Sequence, residues 1–267
     1  MNTSLHGKRA LVCGASQGIG LAAAQELAAL GASVTLVARD VDRLKAAAKT
    51  LALVPGANQA HRWFAADFSK PDGVREAVNT ELSHQSAAGP YTILINNTGG
   101  PPGGQAIDAK LDEFVAAFTA HLLCGQILAQ AVVPGMKTQK YGRIVNIIST
   151  SVKAPIPNLG VSNTIRGAVA SWAKTLAGEL APFGITVNNV LPGFTETERL
   201  SSLVATRASK GNTSEEQVKK DMLATIPAGR FAKPEEVGAV IAFLCTPAAA
   251  YVNGVNVPVD GGRLPTL

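Results

Sequence analysis

Short β-rich runs alternate with longer helical stretches along the whole chain, the pattern that yields parallel βαβ units rather than a sandwich or a helical bundle. The strand-like runs are residues 9–13, 33–38, 61–65, 91–96, 142–148, 186–191 and 255–259. The intervening stretches, among them 20–30, 111–136, 160–180 and 234–244, are Ala-rich with apolar residues at helical spacing, and Pro182 and Gly184 close one of them. Seven strands in this order predict an α/β chain with one doubly wound parallel sheet, residues 1–267 forming a single domain. Two segments interrupt the alternation, GGPPGG at 99–104 and a polar stretch at 195–220, and both are predicted to be loops. They follow the fourth and sixth strands, and doubly wound sheets bind ligands beyond the carboxyl ends of their strands. The segment 194–225 therefore reads as a substrate lid.

Composition narrows the function classes. With 46% hydrophobic and 16% charged residues the chain has the makeup of a packed globular protein. Its formal charge of +5 is scattered, without a basic run or interleaved aromatics, which argues against nucleic acid as a partner. Cys13, Cys124 and Cys245 are odd in number and far apart in apolar stretches, so they read as small buried thiols rather than a disulfide framework or a metal site. The first eight residues lack the features of a signal peptide, and no uninterrupted apolar run reaches the roughly 20 residues of a spanning helix. No membrane association and a cytoplasmic location are expected.

The run LVCGASQGIG at 11–20 leaves a strand and opens a helix. Glycines in that context permit a tight turn and let a helix N-terminus approach a pyrophosphate, so Gly14, Ser16, Gln17, Gly18, Ile19 and Gly20 are candidate dinucleotide-binding residues of a Rossmann fold. The second strand ends at Ala38, roughly 20 residues on, where the residue that reads the ribose belongs. An acidic side chain there would accept from a 2′-hydroxyl; the chain instead has Ala38 followed by Arg39, which favours NADP(H), with Arg39 as the 2′-phosphate contact. The competing reading is a surface pair between Arg39 and Asp40.

These residues resemble the short-chain dehydrogenase/reductase family, and its 3-oxoacyl-carrier-protein reductase branch over nearly the whole length. Besides GASQGIG, the chain carries Asp67 after the third strand, NNTG at 96–99, RIVNIIS at 143–149, NNVLPG at 188–193 with Thr197, GRFAKP at 229–234 and VDGG at 259–262. The resemblance implies that Asp67 accepts from the adenine amino group and that Asn96 lines the adenine ribose. It also implies that Pro192, Gly193, Thr195 and Thr197 hold the nicotinamide and phosphates, and that the chain is a homo-oligomer, tetramer or dimer.

The family's catalytic Tyr, its Lys four residues later, a carbonyl-polarising Ser and a water-holding Asn are matched here only at Ser149. Counting from Ser149, the Tyr and Lys positions fall on Ser162 and Arg166, and counting back from Arg143 puts the Asn position on His121. A serine hydroxyl is a far weaker acid than a phenol, and a guanidinium stays protonated. His121, with an ordinary pKa of about 6.5, is the candidate replacement acid, against the alternative of a histidine that makes a buried structural hydrogen bond. Two functions follow: an NADP-dependent oxidoreductase acting on a small-molecule carbonyl or alcohol with a rebuilt proton-delivery site (Ser149, Ser162, Arg166, His121), or a catalytically silent NADP(H) sensor or inactive partner subunit of a hetero-oligomer.

Overall fold

The structure is a computed structural model that describes residues 1–84 and 88–266. Its strands are β1 (Arg9–Cys13), β2 (Ser33–Ala38), β3 (Arg62–Ala65), β4 (Ile93–Asn96), β5 (Gly142–Ile147), β6 (Ile185–Pro192) and β7 (Asn256–Val259). Its helices are α1 (Gly18–Ala29), α2 (Val41–Ala48), α3 (Pro71–His84), α4 (Leu111–Phe118), α5 (Cys124–Gln139), α6 (Gly160–Leu180), α7 (Glu198–Gly211), α8 (Glu215–Ala224) and α9 (Pro234–Leu244). The strands form one parallel sheet in the order β3-β2-β1-β4-β5-β6-β7, so the predicted doubly wound fold is present. Connections run outward in both directions from the β1/β4 boundary, the switch point at which such sheets open a ligand crevice.

The inner strands are continuous apolar runs because helices cover both faces. On one face Leu27, Leu44, Val237 and Ile241 of α1, α2 and α9 pack on Val12, Leu36 and Ile95. On the other, Val78, Leu128, Val132 and Ala177 of α3, α5 and α6 pack on Leu11, Leu94 and Val187. The three cysteines are buried and free of disulfides, and burial pushes the thiols of Cys124 and Cys245 up to about 11 and about 12.

Three expectations need correction. The stretch predicted as one helix over 111–136 extends over Leu111–Gln139 and is interrupted by a π-turn at Thr119–Leu123. By length and composition it passes as membrane-spanning, at a mean hydropathy of 1.5, contrary to the expectation from uninterrupted runs; its α5 part packs one apolar face on the sheet. The segment 195–220 is not a loop. It folds into α7 and α8, each opened by a side-chain cap: Thr197 accepts from the Leu200 amide and Ser214 from the Gln217 amide. These two helices form their own small core of Val204, Ala208, Val218 and Met222 with Phe194 and Phe231. The glycine-rich segment 99–104 is irregular as predicted, and Gly104 bonds to Asn158 and Gly160 at the entry to α6.

Candidate active site

The glycine turn is shaped for close backbone approach. Gly14 and Gly18 both adopt φ near +57°, the left-handed region that glycine enters without strain. A side chain at Gly14 would come 2.6 Å from the Asn97 amide nitrogen, and one at Gly20 would overlap the Gly14 carbonyl. Gln17 occupies the N-cap of α1 without a side-chain cap, and the first turn holds no acidic residue, so the helix leaves its amides directed at the turn. Thr197 closes over this turn, its methyl 3.2 Å from where a Gly18 side chain would begin.

At the β2 end, Asp40 caps α2 and faces Arg43 at 3.6 Å, so it is not the partner of Arg39, which stays exposed. Hydrogen bonding from the Ser69 backbone holds the Asp67 carboxyl below its ordinary value, with Arg39 and Lys70 adding to the effect. Sequence reasoning missed Arg43, which bonds Gln17 and lies 3.3 Å from Glu198, bridging α2, the glycine turn and α7. It also missed Asn97, whose amide donates to the Gly14 carbonyl at 3.2 Å. Pro192 ends β6 beside Val259, Gly193 follows it against Asp260, and Thr195 is buried beside Ala232.

Beyond the carboxyl ends of β4 and β5 lies a chamber of about 10 Å³, the size of a single water. Asn96, His121, Asn146 and Arg166 line it together with Phe68 and Val169. Asn96 is therefore placed here, among the chemistry-bearing residues, while its neighbour Asn97 touches the glycine turn. The π-turn presents His121, a local widening that recurs at functional sites. Arg166 donates from Nη1 to the Ile147 carbonyl at 2.9 Å, while its Nε and the Asn96 Oδ1 have no partner although both are buried. A lone donor and a lone acceptor thus belong to two residues that line one water-sized space. Ser149 follows β5 by two residues and caps the next turn, accepting from the Ser151 amide; Ser162 lies one helical turn before Arg166 on α6. Neither serine lines the chamber itself.

Asn96 is also the end of a ladder. Its amide donates to Asn146 (2.9 Å), Asn146 to Asn189 (2.9 Å) and Asn189 to Asn256 (2.8 Å), each pair being direct register partners on neighbouring strands. The amides are aligned head to tail, and the Asn96 carbonyl is left at the free end of the ladder.

Burial, with Arg166 and then Arg199 adding like charge, pushes the His121 imidazole down to about 2, against a hydrogen bond to the Gly99 backbone. Burial and Arg199 push Arg166 down to about 10, which leaves it cationic at neutral pH. The neutral imidazole has a stability consequence. Between its folded value and about 6.5 the unfolded chain binds a proton that the native chain does not, so stability falls as pH falls through that window. Unfolding by urea at pH 6.5 and at pH 5 should show a loss of about 2 kcal/mol that His121→Asn abolishes; equal losses in both proteins would refute a neutral imidazole.

The chain has three tyrosines, and none is near this chamber. Tyr91 is buried between Thr35 and Glu81, Tyr141 donates to the Cys245 carbonyl, and Tyr251 is fully exposed after α9.

Residues 14–263 match the family model described as enoyl-(acyl carrier protein) reductase. The chain is 35% identical to the 3-oxoacyl-[acyl-carrier-protein] reductase of Pseudomonas aeruginosa, the match covering 97% of this chain and 98% of that one. Among solved structures it is similar to L-sorbose reductase from Gluconobacter frateurii, complexed with NADPH and L-sorbose (TM-score 0.90, 32% identity, all of both chains). It is also similar to an NADPH-dependent reductase involved in bacilysin biosynthesis (TM-score 0.89, 27% identity, 97% of this chain and 99% of that one). With the glycine turn, the sheet order and a match over almost its full length in agreement, the chain belongs to the short-chain dehydrogenase/reductase family.

Proposed function

We propose that the chain is an NADP(H)-dependent oxidoreductase that interconverts a small-molecule carbonyl and alcohol without the family's Tyr and Lys. The observation that carries this reading is the closure of Thr197 over the glycine turn beside a chamber holding a buried cation. Gly14, Ser16, Gln17, Gly18, Ile19 and Gly20 would hold the pyrophosphate at the α1 N-terminus. Asp67 and Arg39 would hold the adenosine part, and Pro192, Gly193, Thr195 and Thr197 the nicotinamide half. The bound dinucleotide supplies the hydride.

The chain's own residues then orient the carbonyl and stabilise charge on its oxygen. Ser149 and Ser162 offer hydroxyl donors, and Arg166 supplies the positive charge that favours an alkoxide. His121, neutral beside Arg166 and with its one N–H committed to the Gly99 backbone, is not an imidazolium acid and acts by positioning the glycine-rich segment beside Arg166. General acid catalysis typically contributes about 10²–10⁴-fold, so weak turnover of simple ketones follows from this arrangement. The exposed apolar side chains Ile107, Leu111, Val115 and Phe118, on α4 and just before it, support self-association as a dimer or tetramer.

Calorimetric titration tests the cofactor. NADPH should bind more tightly than NADH, and Arg39→Asp should remove about 1.5–3 kcal/mol of NADPH binding. Equal binding of the two cofactors, or an unchanged preference in Arg39→Asp, would overturn the 2′-phosphate assignment. Tight NADPH binding with no turnover of any carbonyl would favour the silent sensor or inactive partner subunit instead.

A further inference from the structure

Arg166 is 8% exposed, yet no carboxylate pairs with it among the described residues. A buried guanidinium with one carbonyl partner and an unpaired Nε is incompletely compensated, and such charges are retained where something else completes them. A second guanidinium adds to this. Arg199, in the first turn of α7, donates from Nη2 to the Pro101 carbonyl at 3.0 Å and likewise lacks an acidic partner among the described residues. Its neighbour Glu198 is turned to Arg43 and Gln17 instead.

The two arginines meet at Gly100. A side chain there would begin 3.1 Å from Arg199 Nη2 and 3.7 Å from Arg166 Nη2, so both forks flank the position that glycine leaves without a side chain. His121, which faces the same charges, is neutral and cannot balance them. Two like charges held together by α6 and α7 without an acid select for an anion presented from the crevice, and guanidinium forks suit carboxylate and phosphate oxygens.

We infer that Arg166 and Arg199, separated by Gly100, receive an anionic group, carboxylate or phosphate, carried by the carbonyl substrate. This rests on the oxidoreductase reading above, and it gives that reading a substrate class: an oxo acid or oxo phosphate rather than a neutral ketone or sugar.

The test compares matched pairs on the full-length protein: acetoacetate with its methyl ester, and dihydroxyacetone phosphate with dihydroxyacetone. Calorimetric binding to the protein saturated with NADP⁺ needs no turnover, and KM in the presence of NADPH is read alongside. At least one anion should bind 10-fold or more tightly than its neutral counterpart, and which pair shows this distinguishes carboxylate from phosphate. Arg199→Gln, a substitution at an exposed position, should weaken the anion 10- to 100-fold, move the neutral counterpart less than threefold and leave NADPH affinity within twofold. The inference is overturned if neither pair shows a preference, or if Arg199→Gln weakens NADPH as much as the anion, which would assign the pair to the cofactor. Neutral ketones turned over with no preference for charge would sink this inference while leaving the redox function standing. Anion preference without any turnover would do the reverse.

Discussion

Ser162→Tyr combined with Arg166→Lys is expected to raise NADPH-dependent reduction of simple ketones by about 10²-fold or more over the natural chain. The two positions are four apart on α6 and share a face, one helical turn separating them, as a proton donor and its electrostatic helper must. A phenol near pKa 10 next to an ammonium is a far better proton donor than a serine hydroxyl. Ser162→Tyr alone should gain less. Arg166 is forked and already committed to the Ile147 carbonyl, whereas lysine presents a compact point charge. Steady-state rates with NADPH against a small ketone panel check this, with cofactor affinity measured in parallel. Normal NADPH binding with no gain in rate would mean that the site has been rebuilt for some use other than simple ketone reduction.

The second large effect concerns the ladder. Asn146 is 1% exposed and makes both of its side-chain bonds within the sheet. Asn146→Leu is expected to cost about 2–6 kcal/mol, because it strands the Asn96 amide and the Asn189 carbonyl in the interior at about 1–3 kcal/mol each. Equilibrium denaturation is the measurement, and a loss below about 1 kcal/mol would show that water or a side-chain rearrangement satisfies both groups. The same substitution should disturb the chamber that Asn96 and Asn146 line, so weaker turnover would accompany the lower stability.

The sheet and the glycine turn were legible because their signals are local: period, turn residues and a strand–turn–helix context all lie within 30 residues of one another. The α7–α8 pair was hidden by polarity. Its helices bury only Val204, Ala208, Val218 and Met222, too thin an apolar stripe to stand out in a stretch rich in Ser, Lys and Thr. The π-turn at His121 was illegible for a different reason, since a widened turn displaces the helical period that pattern reading relies on. At the candidate site, Ser149, Ser162, Arg166 and His121 were named by position. Their surroundings were not. That Arg199 of α7 would approach Arg166 of α6 across Gly100, with no acidic partner among the described residues, is a fact of tertiary packing. The protonation state of His121 likewise depends on burial and on those two charges, neither of which its own neighbours in sequence reveal.

The four-asparagine ladder also bears on how the strands find their alignment. A slip of one residue between parallel strands turns every side chain to the wrong face and is rejected by the apolar pattern alone. A slip of two is not, since it restores the face and sets one aliphatic residue beside another. Here such a slip would place Asn146 beside Leu94 rather than Asn96, and Asn189 beside Ile144 rather than Asn146, burying amides against hydrocarbon. The asparagines thus act as a key that only one even register accepts. They do so for strands drawn from positions 96 to 256, where long-range pairing is slow and near-correct alignments compete most.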